Sequence, residues 1–251
     1  MTTTEQKVKE IKQSFRQLMD GATAQSMRDK GLNYHLNWGV TLPRLRQMAE
    51  EISVECRDKS VEFATAPEPT AVANSKLYTL NSKPKDTALY TLNSEPKDTV
   101  LYTLSSTLWK ENIRECKILA TMLMPPDEIL PEVVDIWMEQ TPTLEIAEQA
   151  AFNLYQHLPY AADKAFQWLA SPDDLPQICG YHVLSRLFMQ KQEPNERGIN
   201  EFIDQALAAL QSPNVTLRKA AYNAILRFAD LSLMHQRLAS AALRRSGIDT
   251  E

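Results

Sequence analysis

The sequence predicts an all-α protein, a solenoid of antiparallel helix pairs stacked side by side, and three observations predict it. Only six of 251 residues are glycine, and most of the chain is rich in Ala, Leu, Glu, Gln, Lys and Arg, which favour helix over strand. From Ile113 onward an amphipathic helix, a short turn carrying Pro or Ser, and another helix follow each other again and again. Four of these helices can be set side by side with similar residues at similar places.

In chain order, Val8, Ile11, Phe15, Leu18 and Met19 fall at helical spacing, and Gly21 is suited to the left-handed turn that ends a helix. After a short polar stretch, Thr41 is placed to cap and Pro43 lies inside a first turn. Leu45, Met48, Ala49, Ile52 and Cys56 then mark one face of a second helix. Later breaks fall at Pro125-Pro126, Thr141-Pro142, Pro159, Ser171-Pro172, Glu193-Pro194-Asn195 and Ser212-Pro213-Asn214. Arg114, Glu148, Ile178 and Arg218 come into one register at offsets of 34, 30 and 40 residues, each with a small residue two places on. That spacing belongs to HEAT and armadillo repeats, whose helix pairs bury their apolar faces only by stacking.

One stretch interrupts the pattern. Leu77-Tyr78-Thr79-Leu80-Asn81-Ser82-Lys83-Pro84-Lys85-Asp86-Thr87 recurs almost unchanged at Leu89 to Thr99 and starts again at Leu101-Tyr102-Thr103-Leu104, a period of 12. With the Ala-, Thr- and Pro-rich run before it, this predicts an insert over 60–105, either a disordered excursion or a hairpin-like or helical appendage. The whole chain, 1–251, is otherwise read as one solenoid domain.

The amino terminus is polar and no run of eighteen apolar residues occurs, so neither a secretion signal nor a membrane span is expected and the protein is placed in the cytoplasm. Cys56, Cys116 and Cys179 are odd in number, far apart and set among apolar residues, as buried reduced thiols are. His35, His157, His182 and His235 have no partner spacing, so no metal and no cofactor is expected. A net charge of −5 counts against indiscriminate nucleic-acid binding but leaves room for a local basic face.

Two patches carry a resemblance. Asn37-Trp38-Gly39-Val40-Thr41-Leu42-Pro43-Arg44-Leu45-Arg46, and Leu108-Trp109-Lys110-Glu111-Asn112-Ile113-Arg114-Glu115-Cys116-Lys117-Ile118-Leu119-Ala120, resemble in order two segments of bacterial DNA alkylation repair proteins of the AlkD-like HEAT-repeat family. The resemblance implies duplex DNA with alkylated bases as partner, bound in a concave groove, and excision of cationic purines. Aromatic faces and a carboxylate would steady the oxocarbenium-like centre, and an arginine would hold a phosphate. Residue by residue, the family's aspartate falls on Glu148 and its first tryptophan on Leu144. Its arginine falls on Ile178 or Cys179, and its second tryptophan on Asn223 or Ala224.

Glu148 is therefore the candidate catalytic carboxylate, and a solvated polar position is the plain alternative. Arg46, Lys110, Arg114, Arg218, Lys219 and Arg227 are the candidate DNA-binding residues, against ordinary solubilising charge. Two functions remain open: an alkylpurine DNA glycosylase-like DNA-binding protein, and a non-catalytic helical scaffold for a protein or nucleic-acid partner. A monomer is expected.

Overall fold

In the computed structural model, which describes residues 4–64, 100–245 and 247, every extended element is a helix. They run α1 (Thr4–Gln17), α2 (Gly21–Asp29), α3 (Leu42–Ala64), α4 (Val100–Lys110), α5 (Arg114–Leu123), α6 (Pro131–Glu139) and α7 (Leu144–Asn153). After a short 3-10 turn (Tyr155–His157) come α8 (Ala161–Leu169), α9 (Asp174–Met189), α10 (Glu196–Leu210), α11 (Val215–Ala229) and α12 (Leu233–Arg245). All six predicted breaks lie between helices.

The helices form two rows. In the front row α3, α5, α7, α9 and α11 each pack on the next, and in the back row α4 packs on α5, α8 on α9, and α10 and α12 on α11. α6 joins the back row through side chains. Trp137 stacks on Trp109 of α4 with centroids 4.2 Å apart and planes 3° from parallel, and Asp135 pairs with Lys164 of α8. One continuous core lies between the rows, from Val8 to Leu243. Small residues let neighbours approach: a Cβ on Gly180 of α9 would stand 2.9 Å from the Ala165 carbonyl of α8.

Two expectations at the amino-terminal end need correction. Gly21 does not end the first helix; it opens α2, because Asp20 caps the new helix by accepting from Ala22 and Thr23 N–H at 2.9 and 3.1 Å. Only Ala24 of α2 is buried, so no apolar periodicity marked it. The margins of the 60–105 insert are also helical, residues 60–64 in α3 and 100–105 in α4. The third Leu-Tyr-Thr-Leu is followed by Ser-Ser-Thr-Leu-Trp instead of a proline segment, so the helix continues and buries Leu104 and Leu108 one turn apart. The rest of the predicted insert, 65–99, lies outside the described residues.

The segment 30–41 ties α2 to α5. Arg114 N–H donates to Leu36 O at 3.0 Å, and the amides of Trp38 and Val40 donate to one carboxylate oxygen of the fully buried Glu115. The first family-like patch thus has a packing role of its own. Gly39 sits at φ +76°, where a Cβ would stand 2.1 Å from Asp20 O, so the turn admits only glycine.

Candidate functional site

The exposed side of the front row is the surface on which the chemistry-bearing residues meet. On α7, Ile146, Ala147, Gln149, Ala150 and Ala151 turn inward, leaving Leu144, Glu145, Glu148 and Phe152 on the open arc. On α9 the open arc carries His182, Ser185 and Arg186. Glu148 and His182 approach to 3.6 Å, the His182 ring meets the Phe152 ring edge-on at 5.6 Å, and the Arg186 guanidinium lies 4.4 Å over Phe152. The cluster holds a carboxylate, an imidazole, an aromatic ring and a guanidinium, three of them on residues the sequence did not single out.

Burial, and then the charge of Glu145, hold the Glu148 carboxyl above the usual carboxylate range. Burial, and then Arg186, push the His182 imidazole below its ordinary value. At neutral pH the imidazole is uncharged, so the 3.6 Å contact is a loose polar contact and not an ion pair.

These residues escaped the sequence because the register slipped by a turn. Neighbours across adjacent front helices are Arg114 and Glu145, Thr121 and Asn153, Ala147 and Cys179, and Glu148 and His182, 31 to 34 residues apart. The predicted alignment sets Arg114 beside Glu148 and Glu148 beside Ile178, whereas their neighbours are Glu145 and His182, three and four positions away, about one helical turn, a shift that leaves the apolar pattern almost unchanged. Ile178 and Cys179 are buried, and the open arc of α9 carries His182, Ser185 and Arg186 instead.

The candidate basic residues separate. Arg114 is 1% exposed. Its Nε and one terminal nitrogen grip both oxygens of Glu145 at 2.8 and 2.5 Å, and the other nitrogen donates to Val40 O at 2.9 Å. Burial alone would raise the Glu145 carboxyl, but the hydrogen bonds and charge of Arg114, joined by the Tyr34 hydroxyl, hold it below the usual range. Arg114 is thus a buried tie between α5, α7 and the 30–41 segment, not a phosphate ligand. Arg218 donates to Ser212 O and Pro213 O at 2.6 and 3.0 Å, holding the turn before α11. Arg46, Lys110, Lys219 and Arg227 are exposed, Arg227 pairing with Asp230 at 3.4 Å. Arg46 is on α3, Lys219 and Arg227 on α11, at the two ends of the front row, and Lys110 closes α4 behind it.

Among the described residues, two clefts bear on the site. One of about 290 Å³ lies in the front row between α3, α5 and α7, bounded by Arg46, Glu50, Met122, Phe152, Asn153 and His157. The other, about 650 Å³, lies between α6, α8 and the start of α9 and presents Asp135, Glu139 and Asp173, carboxylates that repel a phosphate.

No family model matches the sequence, and no curated protein matches it. Among solved structures the fold matches one described as belonging to "a new family of proteins related to the HEAT-like repeat DNA glycosylases with affinity for branched DNA structures". The TM-score is 0.67 at 14% identity, over 95% of this chain and 82% of that one. The chain therefore has a HEAT-like repeat fold. No described helix is long and apolar enough to cross a membrane.

Proposed function

We propose that the protein binds DNA, branched DNA included, along the open side of the front row, its phosphates held by Arg46 at one end and Lys219 and Arg227 at the other. The observation that carries this reading is the placement of exposed cations on the two end helices of one continuous row, on a fold shared with a protein of a family with affinity for branched DNA. Arg186, anchored on Phe152 between those ends, supplies a further guanidinium. With a net charge of −5, affinity rests on these local contacts and is strongest at low salt.

Fluorescence anisotropy with a duplex and a four-way junction at several salt concentrations tests it. Salt-dependent binding with a junction preference is expected, and its loss on Arg46→Ala with Lys219→Ala ties it to this face. Absence of binding to either DNA at low salt sinks the reading.

Alkylpurine excision is a second reading, favoured by Glu148 in the middle of the face. Leu144, one turn before it, offers no aromatic face to a cation, but Phe152 lies one turn after it. In such a reaction water adds to the sugar C1′ and gives up a proton to solvent as the glycosidic bond breaks and its electrons neutralise the alkylated base, with the Glu148 carboxylate opposing the positive charge at C1′. Only the ionised carboxylate does this, so release would rise with pH through the raised Glu148 value. Incubation with DNA containing N7-methylguanine or N3-methyladenine decides it: no base release from either removes the second reading and leaves the first.

A further inference from the structure

The 290 Å³ cleft has the makings of a nucleobase site. Its volume is near the lower end of small-ligand clefts, which begin at roughly 300 Å³, enough for one planar base. One wall is the half-buried Phe152 ring, which Arg186 covers at 4.4 Å and His182 meets in a T-shaped contact at 5.6 Å, so the aromatic ring is held in place before anything binds. Fixing it in advance reduces the entropy lost on stacking.

The polar groups at the rim complete the chemistry. Asn153 donates its amide to Thr121 Oγ1 at 3.1 Å, which fixes the side chain and leaves its carbonyl oxygen to accept. Glu50, exposed on α3, is a second acceptor, and both therefore seek an N–H donor. Arg46, one turn before Glu50, makes no hydrogen bond or ion pair among the described residues and stands ready for the phosphate of the same nucleotide. A paired base offers neither its face nor its pairing edge, because stacking and pairing occupy both.

We infer that this cleft receives a single unpaired nucleobase of a DNA strand, stacked on Phe152, with its exocyclic amino group turned toward Glu50 and Asn153. Adenine, cytosine and guanine carry an amino group that fits these acceptors, and thymine, which lacks it, fits poorly. The inference rests on the DNA-binding reading and adds to it a reason for choosing branch points, where bases come unpaired.

Anisotropy titrations compare a fully paired duplex with the same duplex carrying one unpaired adenine or one unpaired thymine. The wild type is expected to favour the unpaired adenine over the duplex by about tenfold, in keeping with base–aromatic stacking elsewhere, and over the unpaired thymine by a smaller factor. Phe152→Leu, which keeps apolar volume and removes the ring, brings the adenine-to-duplex ratio to about one, and Phe152→Trp restores it. Circular dichroism melting checks that both variants are folded. Equal wild-type affinity for all three DNAs, or a ratio that Phe152→Leu leaves unchanged, overturns the inference while the DNA-binding reading stands. Failure to bind any of the three at low salt overturns both.

Discussion

Two glutamates on one helix, three residues apart, have opposite electrostatic fates because of what each faces. Glu145 meets the buried Arg114 and the Tyr34 hydroxyl, so its charged form is favoured despite burial. Removing that charge breaks the two-pronged grip and leaves the buried guanidinium only the Glu115 carboxylate, 3.4 Å from one nitrogen, so Glu145→Gln is expected to cost up to about 3–5 kcal/mol, read as a lowered urea midpoint. Its carboxyl titrates lower in the folded than in the unfolded chain. The stability it supplies is therefore complete above the unfolded value, near pH 4.3, and is lost as pH falls through the depressed one. Acid should thus destabilise the wild type over a range in which the variant changes little. Glu148 behaves in reverse: its folded value is raised, so ionisation opposes folding as pH rises from the unfolded value through the folded one. Glu148→Gln should leave stability unharmed at pH 8 or raise it slightly, and parallel thermal melts at pH 4 and pH 8 check the direction. A clear loss at pH 8 would show that the carboxylate has a structural partner that this arrangement does not give it.

At the scale of elements, the most exacting joint is the turn at Gly39. Replacing it by Ala combines a positive φ with a Cβ 2.1 Å from Asp20 O and 2.8 Å from Ala24 N, so α2 must move away from the 30–41 segment. The conformation alone is worth about 1–3 kcal/mol, and Gly39→Ala is expected to cost at least that, with faster hydrogen exchange in α2 than in α7. Unchanged exchange in α2 would disprove the coupling. Helices with a wide apolar face, such as α11 with Leu217, Ala220, Ala221, Ala224, Ile225 and Phe228 inward, were legible because periodicity is a direct record of burial. The proline and serine breaks were legible because they act locally. α2 was not, having one buried side chain and a cap that is visible only once Asp20 is placed. Phe152, His182 and Arg186 were hidden for a different reason: relative register between helices is a property of packing, and a one-turn slip preserves every helical periodicity. Arg114 reads as an open cation because a sequence shows a charge but not the Glu145 that neutralises it.

At the scale of the whole molecule, the front row works as a ruler. Five helices at the usual 8–10 Å between axes place α3 and α11 roughly 32–40 Å apart, close to one turn of B-form DNA, about 34–36 Å. DNA laid along the row can therefore offer a phosphate of the same groove edge to Arg46 at one end and to Lys219 and Arg227 at the other. This predicts a length threshold. A duplex of about 8 base pairs reaches only one end, whereas one of about 12 base pairs or more reaches both, with a steeper fall of affinity with salt. Each phosphate contact adds about 0.9 to that slope, so Arg46→Ala should lower it by about 1 on the long duplex. Arg114→Met is the informative contrast, since its guanidinium is buried in the Glu145 pair: it should leave the slope unchanged in whatever fraction folds. If the slope does not change between the short and the long duplex, DNA crosses the row at one point instead of running along it, and the cations at the two ends do not act together.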